Sequence, residues 1–372
     1  MQVPFVDLSR IVKKVKPDVM RDWEECLDHC AFVGGPSVPK LEKKLEGFLN
    51  VGNFVTCGSG TDALIIALRA MGLGAGMRVA VPNMTFWAPY EAIVQMGAEP
   101  VLIDIDPDDL QLDFEEFKEA HDRFHLDGAI LVHLFGWTSQ KLYEFRQFCR
   151  KHDIVLIEDG AQAFGVELEG ESVLSGAQLG TMSFYPAKVL GASGDAGGIT
   201  TQDIKLAEKI RALCNHGRAG HYTYDFVGFN SRLGALQARF LMRVLDEMTG
   251  VLEERRAAEA FYQKFFSDYP DLCRVYQAPA GVTSNGYLNV LRVYGKSGDE
   301  LVSGLVKEGI GAARTYPQTL DMQPPAKKAL KSSDLRHSIE FSKNVINLPL
   351  FSGITIEECE IAAKALLKIM KA

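Results

Sequence analysis

Long apolar runs are missing from this chain of 372 residues. No stretch approaches the roughly 20 residues a membrane-spanning helix requires, which excludes an integral helical membrane protein. Blocks of Lys or Arg are missing too. Forty Lys plus Arg stand against 48 Asp plus Glu, a net charge of -8. Bulk electrostatics therefore make the chain a poor nucleic-acid or acidic-membrane binder and leave room for a local cationic pocket for an anionic substrate. The seven cysteines (Cys26, Cys30, Cys57, Cys149, Cys214, Cys273 and Cys359) form no C-x-x-C and no zinc spacing. An odd, scattered set of this kind reads as reduced thiols in a cytoplasmic protein, without a disulfide framework or a metal centre. The opening MQVPFVDLSR lacks a basic n-region followed by an apolar h-region, so no secretory signal is expected. Internal repeats and low-complexity segments are also missing.

What is present is an ordinary globular composition, 47% hydrophobic and 24% charged, in a chain long enough for two domains. From about residue 50 to 200, short apolar segments alternate with amphipathic ones. Candidate strands are 53–56, 78–81, 100–104, 129–134, 154–158 and 181–184, and several are near-continuous Val/Ile/Leu runs. Such runs suit strands buried on both faces of a parallel sheet. Helical patterns at 61–71, 88–96, 114–121 and 142–152 lie between them. The alternation implies α/β layering with right-handed crossovers, and the C-terminal strand ends become the expected address of chemistry. A long helical stretch, 234–266, has few breakers apart from Gly250. A strand at 287–294, a helix at 300–308 and a C-terminal helix from 355 follow, the last opening with Thr355 as N-cap and Glu358 completing a capping box. A boundary near 250 divides the chain into a large domain, 1–250, and a small one, 251–372.

Three segments carry chemistry. Cys57-Gly58-Ser59-Gly60-Thr61-Asp62-Ala63 joins a strand to a helix. Glycines let the backbone turn tightly against a ligand, and the helix N-terminus offers free N–H groups to an anion. A dinucleotide fingerprint would also need an acidic residue at the end of the next strand, where the sequence reads RVAVPN. The bland alternative is a tight turn with Thr61 or Asp62 as N-cap. The second segment, IEDGAQA at 157–163, follows an apolar strand, and Asp159 there is either a turn cap or a functional carboxylate. The third, GTMSFYPAK at 180–188, leads into the glycine-dense GASGDAGG at 191–198. Its Lys188 follows an aromatic strand end, an unusual setting for a solvated surface charge.

Taken together these segments resemble the DegT/DnrJ/EryC1/StrS sugar-aminotransferase family, within the fold type I enzymes that use pyridoxal phosphate (PLP). The resemblance is carried by VPFVDL at 3–8, FVGGPSVPKLE at 32–42, GSGTDAL at 58–64, PNMTFWAP at 82–89, PVLIDID at 100–106 and VHLFG at 132–136. It continues through IEDGAQAFG at 157–165, SFYPAK at 183–188, GDAGGITT at 194–201, NHG at 215–217 and GFNSRLGALQA at 228–238. It implies an α/β fold with a mostly parallel central sheet flanked by helices and a smaller C-terminal α+β domain. By the same resemblance Lys188 carries PLP covalently, and Asp159 faces the ring nitrogen and keeps it protonated. Gln162 sits near the ring's phenolic oxygen. Phe86 stacks on the ring, with Trp87 as the alternative. Gly60, Thr61 and Ser183 cradle the phosphate, and Asn230 reaches it from a partner subunit unless it makes an Asx turn in its own loop. Where the family has Tyr-x-Lys-Pro-Leu-His, this chain reads Tyr316-Pro317-Gln318-Thr319-Leu320-Asp321, so only Tyr316 carries over as a substrate contact. Arg218, Arg232 and Arg314 are candidates for a nucleotide diphosphate or else exposed structural arginines. His133 reads as a satisfied core histidine.

The implied reaction is transamination of a nucleotide-linked keto sugar, with L-glutamate as amino donor and pyridoxamine phosphate as the intermediate form of the cofactor. The motifs lean to C3 of a UDP-linked 3-oxo-N-acetylhexosamine for lipid A or O-antigen. C3 or C4 amination of a dTDP-linked keto-6-deoxy sugar is the alternative. The implied assembly is a homodimer with shared active sites. A dehydratase of this family would replace Lys188 by His, a pure regulator need not keep Lys188 with Asp159, and an NAD-linked oxidoreductase lacks its acidic residue.

Overall fold

The computed structural model describes residues 3–372. Its main sheet is built from β1 (Asn53–Cys57), β2 (Arg78–Pro82), β3 (Glu99–Ile103), β4 (Gly128–Val132), β5 (Val155–Asp159), β8 (Leu179–Ser183), β9 (Gly197–Thr201) and β13 (Leu330–Lys331). A small sheet of β6 (Glu167–Leu168), β7 (Glu171–Ser172) and β11 (Val282–Thr283) lies beside it. The main order is β1-β9-β8-β5-β4-β2-β3-β13. Every neighbouring pair from β8 to β13 is parallel, and β9 alone runs against its two neighbours. The period-two alternation of a strand sends successive side chains to opposite faces. Along β4, Ala129 and Leu131 enter one core while Ile130 and Val132 enter the other. The apolar runs are therefore covered on both sides, as a parallel sheet demands.

The first core joins the sheet to α1 (Ser9–Asp28), α2 (Ser37–Leu49), α5 (Phe114–Phe124), α6 (Leu142–Lys151) and α8 (Ala235–Asp246). The second joins it to α3 (Gly60–Ala70), α4 (Trp87–Gln95) and α7 (Ile204–Cys214). A third core gathers around β10 (Cys273–Tyr276), β12 (Val290–Val293) and β14 (Val345–Ile346), covered by α9 (Met248–Ser267), α10 (Gly298–Lys307) and α12 (Ile356–Lys371), while α11 (Arg336–Asn344) packs on the second. This is the expected α/β class with a mostly parallel central sheet.

Local rules explain most boundaries. At α12 the Thr355 hydroxyl accepts from the Glu358 N–H at 3.2 Å and the Glu358 carboxylate accepts from the Thr355 N–H at 2.9 Å, the anticipated capping box. The long stretch breaks at Glu247, between α8 and α9, rather than at Gly250, which sits inside α9 facing open space. The glycine-dense segment after Lys188 ends in a strand, β9. A side chain at Gly198 would run into the Phe54 ring, so glycine there reflects sheet packing rather than a loop. Asn50 caps α2 in the left-handed region, with φ 50°. No helix among the described residues is long and apolar enough to cross a membrane.

Candidate active site

The C-terminal ends of β1, β2, β5 and β8, with the start of antiparallel β9, converge on one cavity of about 560 Å³. Its walls come from Ser59-Gly60-Thr61, Thr85-Phe86, Asp159 to Gln162, Ser183 to Lys188, Asp195, Tyr287 and Tyr316. A crevice outside the carboxyl ends of parallel strands is where this architecture leaves backbone groups free for a ligand.

One end of the cavity is the start of α3. Ser59, not Thr61 or Asp62, is the N-cap: its hydroxyl accepts from the Asp62 N–H at 3.0 Å. The hydroxyl of Ser231 accepts from Gly58 N–H at 2.8 Å and donates to Asp62 Oδ2 at 2.6 Å, so the turn is locked from a distant loop. Gly60 is required by close approach, because a Cβ there would lie 2.6 Å from Ser183 Cβ. The arrangement leaves the first N–H groups of α3 and the Thr61 and Ser183 side chains around one end of the cavity, an electropositive seat for a dianion.

Two adjacent carboxylates at the end of β5 have opposite fates. Burial pushes Glu158 up, but hydrogen bonds from His133 and Arg146 overcome it and hold its carboxyl below the usual range. The Arg146 guanidinium meets it with two 2.8 Å bonds, and His133 Nε2 lies 3.1 Å away. His133 Nδ1 is satisfied by the Thr138 hydroxyl at 2.8 Å, the expected core histidine. Asp159 points the other way, into the cavity. Burial pushes its carboxyl up, against the bonds and charges that lower it. Only its Oδ1 is bonded, to the Ala161 N–H at 3.0 Å and the Thr181 hydroxyl at 3.4 Å. A buried carboxylate with a free oxygen and no ion-pair partner is costly unless a cation comes to face it. Such a group in a cleft marks a functional site rather than a structural pair.

Lys188 supplies the lining's one cation. Its amine donates to the Tyr287 hydroxyl at 3.4 Å and lies 5.1 Å from that ring's centroid. Gln162 Nε2 donates to the Tyr316 hydroxyl at 2.6 Å while its Oε1 accepts from Phe135 N–H at 2.6 Å, which fixes the amide at the wall. Tyr316 reaches that position with a left-handed φ of 61°. Burial pushes its phenol well above the ordinary range. Phe86 lines the cavity with 61% of its surface exposed, whereas Trp87 is drawn off against Tyr90, the two rings tilted by 35° with centroids 4.7 Å apart. The Thr85 hydroxyl is buried at the wall without a partner.

The remaining candidates lie outside this cavity. Asn230 and Arg232 are exposed, and the Asn230 side-chain oxygen accepts from the Arg232 guanidinium at 2.6 Å. Arg218 is exposed on the neighbouring loop, bridged to Tyr224. Arg314 bonds to Asp299 at 2.5 Å and to the Ser342 carbonyl at 2.7 Å, which occupies its guanidinium on the C-terminal portion of the chain. No group of His, Cys, Asp and Glu among the described residues could hold a metal. Tyr287, Thr85 and Asp195 are lining residues to which no role was assigned from sequence. Asp195 was visible inside GDAGG, and Tyr287 at the head of a strand gave no signal.

The chain is 33% identical over 362 residues to a pleiotropic regulatory protein of Geobacillus stearothermophilus, with 96% of each covered. It is 32% identical over 357 residues to a UDP-N-acetyl-3-dehydro-alpha-D-glucosamine 3-aminotransferase of Acidithiobacillus ferrooxidans, covering 96% of this chain and 95% of that one. Its fold superposes on the crystal structure of NtdA from Bacillus subtilis with bound cofactor PMP, with a TM-score of 0.92, 25% identity, and coverage of 100% of this chain and 86% of the other. The DegT/DnrJ/EryC1/StrS aminotransferase family model matches residues 13–366. With the match running over nearly the whole length, the chain belongs to that family.

Proposed function

We propose that the protein is a PLP-dependent transaminase that moves an amino group from L-glutamate to the keto carbon of a nucleotide-linked sugar, and that this carbon is C3 of a UDP-linked 3-oxo-N-acetylhexosamine. The observation that carries the reading is the presence of one amine, Lys188, and one buried carboxylate without an ion-pair partner, Asp159, in a single cavity. The residues fit PLP on structural grounds: a helix N-terminus with two hydroxyls for the phosphate, a carboxylate lacking its cation, and an orphaned Thr85 hydroxyl at the wall.

Bound PLP supplies an electron sink for cleavage of the C–H bond beside the transferred nitrogen. Lys188 would hold it covalently, and as a free amine would take the proton at Nζ and return it to the carbon on the other side of the transferred nitrogen. Asp159 holds the proton on the ring nitrogen, and each pKa unit so held corresponds to about 1.4 kcal/mol. Gly60, Thr61 and Ser183 receive the phosphate, Phe86 covers one face of the ring, and Gln162 meets the phenolic oxygen. Asn230 reaches the phosphate of a partner subunit in a two-fold dimer. That reading is supported by its exposure on a loop outside its own chain's cavity. The likeness to a 3-aminotransferase of a UDP-N-acetyl sugar supports the substrate, and the likeness to a regulatory protein favours a sensor instead. Lys188 and Asp159 together weigh against a sensor, since a binder needs no proton carrier.

The test is a panel of UDP- and dTDP-linked 3-keto and 4-keto sugars offered with glutamate, the aminated carbon being identified by NMR. Amination at C4, or of the dTDP sugars alone, would remove the proposed substrate. No glutamate-dependent conversion of the bound cofactor would remove the transaminase.

A further inference from the structure

We propose that Tyr287 is a further catalytic residue, its phenolic oxygen fixing the Lys188 amine for proton transfer, and that Arg255 and Arg256 are positioning residues that act through it. The inference rests on reading Lys188 as the amine that carries PLP and the proton. Lysine is a point charge on a flexible four-carbon stem, and it transfers a proton well only when its amine is held in place. The Tyr287 hydroxyl, 3.4 Å away, is the single hydrogen-bond partner of Lys188 Nζ among the described residues. Lys188 also borders a second chamber of about 150 Å³, walled largely by apolar residues such as Phe5, Leu8 and Val189. Tyr287 stands on the boundary of both spaces and keeps the amine on the reacting side.

The backbone under Tyr287 is held with unusual effort. Arg255, only 6% exposed, donates from Nε to the Gly286 carbonyl and from Nη2 to the Tyr287 carbonyl, each at 3.1 Å. No carboxylate lies within hydrogen-bonding distance of it among the described residues, and burial pushes its guanidinium down to about 10. Arg256 donates to the Ser284 carbonyl at 2.7 Å and to the Gly165 carbonyl at 2.9 Å. Asn285 accepts from the Tyr287 N–H at 2.9 Å and donates to the Gln162 and Phe164 carbonyls. Gly286 turns this corner at a φ of 64°, where a Cβ would lie 2.7 Å from the Arg255 carbonyl carbon. A buried cation bonded only to carbonyls, with Glu259 near enough to act by charge but not by hydrogen bond, is expensive in an ordinary core. Here two arginines of α9 hold the corner 284–287, whose tip touches the reacting amine, and tie it to the Leu350 and Gly165 carbonyls.

The step balances without a co-reactant. The C–H electron pair would pass through the transferred nitrogen into the electron sink of bound PLP, the Nζ lone pair would take the proton, and proton and pair would rejoin at the carbon on the other side of that nitrogen. Tyr287 accepts one N–H hydrogen bond throughout and keeps its own proton.

Tyr287→Phe retains the ring and deletes the hydroxyl. Cofactor-free full-length protein would be mixed with PLP and capture followed by absorbance, then trapped with borohydride and mapped. The variant should capture PLP to the same extent at Lys188 but about tenfold more slowly. Its single-turnover reaction with glutamate should slow by about tenfold to a hundredfold, as loss of a hydrogen bond to a charged group implies. The apparent glutamate affinity should stay within about twofold, and the isotope effect with α-deuterated glutamate should rise. Arg255→Lys should show the same pattern more weakly. Capture and turnover within about twofold of wild type in a folded Tyr287→Phe protein would overturn the proposal. Should that variant fail to fold, the same null result in Arg255→Lys would overturn it. Trapping at another lysine in wild type would instead bring down the reading of the site, and this inference with it.

Discussion

Replacing Asp159 by Asn separates what the carboxylate does for the reaction from what it costs the fold. The side chains have nearly the same shape, and Oδ1 can go on accepting from Ala161 N–H and the Thr181 hydroxyl. What is lost is a buried charge that faces no cation of the protein at hydrogen-bond distance among the described residues. In the proposed role that charge would keep the ring nitrogen of bound PLP protonated, and its removal should slow transamination by at least about 10²-fold, roughly 2.7 kcal/mol. Without cofactor the sign reverses. Burial raises the Asp159 carboxyl above its ordinary 3.8, so the native state keeps a proton that the unfolded chain releases. Stability of the cofactor-free wild type then falls as pH rises from about 3.8 through the raised value. The Asn variant carries no such penalty. It should melt higher than wild type when cofactor-free at pH 7 and gain less from added PLP, since stabilisation by a ligand follows its affinity. The assays are single-turnover kinetics with glutamate and thermal melts with and without PLP. A rate within tenfold of wild type, or a cofactor-free Asn variant that melts lower, would refute the reasoning.

A second carboxylate offers a cleaner pH test. Glu259 is pushed up to about 7 by burial, against a hydrogen bond from Ser284 and the charges of Arg255 and Arg256. The native state therefore holds a proton the unfolded chain has lost, and stability should fall by about 3 kcal/mol between pH 4.5 and 7 from this group alone. Urea titrations of Glu259→Gln should show that slope flattened, and an unchanged slope would contradict it. Shared sites predict that inactive Lys188→Ala chains mixed with Asn230→Asp chains recover about one quarter of wild-type activity after subunit exchange, the statistical limit of two-fold pairing. No recovery despite exchange would return Asn230 to its own subunit. Gly198→Ala should cost about 1–3 kcal/mol by driving a methyl into the Phe54 ring, measured as a lower denaturation midpoint, and an unchanged midpoint would rule out tight packing there.

The parts of the molecule legible in the sequence were those governed by local pattern. Apolar runs of β2, β3, β4 and β5 announced themselves because strands covered on both faces must be almost wholly apolar. Thr355 and Glu358 announced α12 because a capping box is read within four residues. β9 stayed hidden because Gly197 and Gly198 look like a loop, and only tertiary contact explains them: a Cβ at Gly197 would strike the Ser59 carbonyl. The break at Glu247 had no breaker residue to mark it. At the site, motif residues next to strand ends were legible because the strand itself aims them. Tyr287 was not, since its place beside Lys188 depends on α9 and on the Asn285 amide, more than a hundred residues from Gln162 and Phe164. Arg314 looked available for a diphosphate until Asp299 and the Ser342 carbonyl were seen to occupy it.

The return of the chain to the far edge of the sheet has a mechanical consequence. Leu320 N–H bonds to the Asn83 carbonyl at 2.8 Å, and Asp321 N–H bonds to the Asn83 side chain at 3.0 Å. β13 then zips along β3, and the Asp104 carboxylate accepts from the N–H groups of His337 and Ser338 at 2.7 and 2.8 Å. The segment carrying Tyr316 is thus riveted to β2 and β3 immediately downstream, while α9 and the corner at Tyr287 grip the opposite wall. Room for a bulky sugar should then come from the rim of the cavity, where Phe86, Tyr185 and Asp195 are exposed in the single chain.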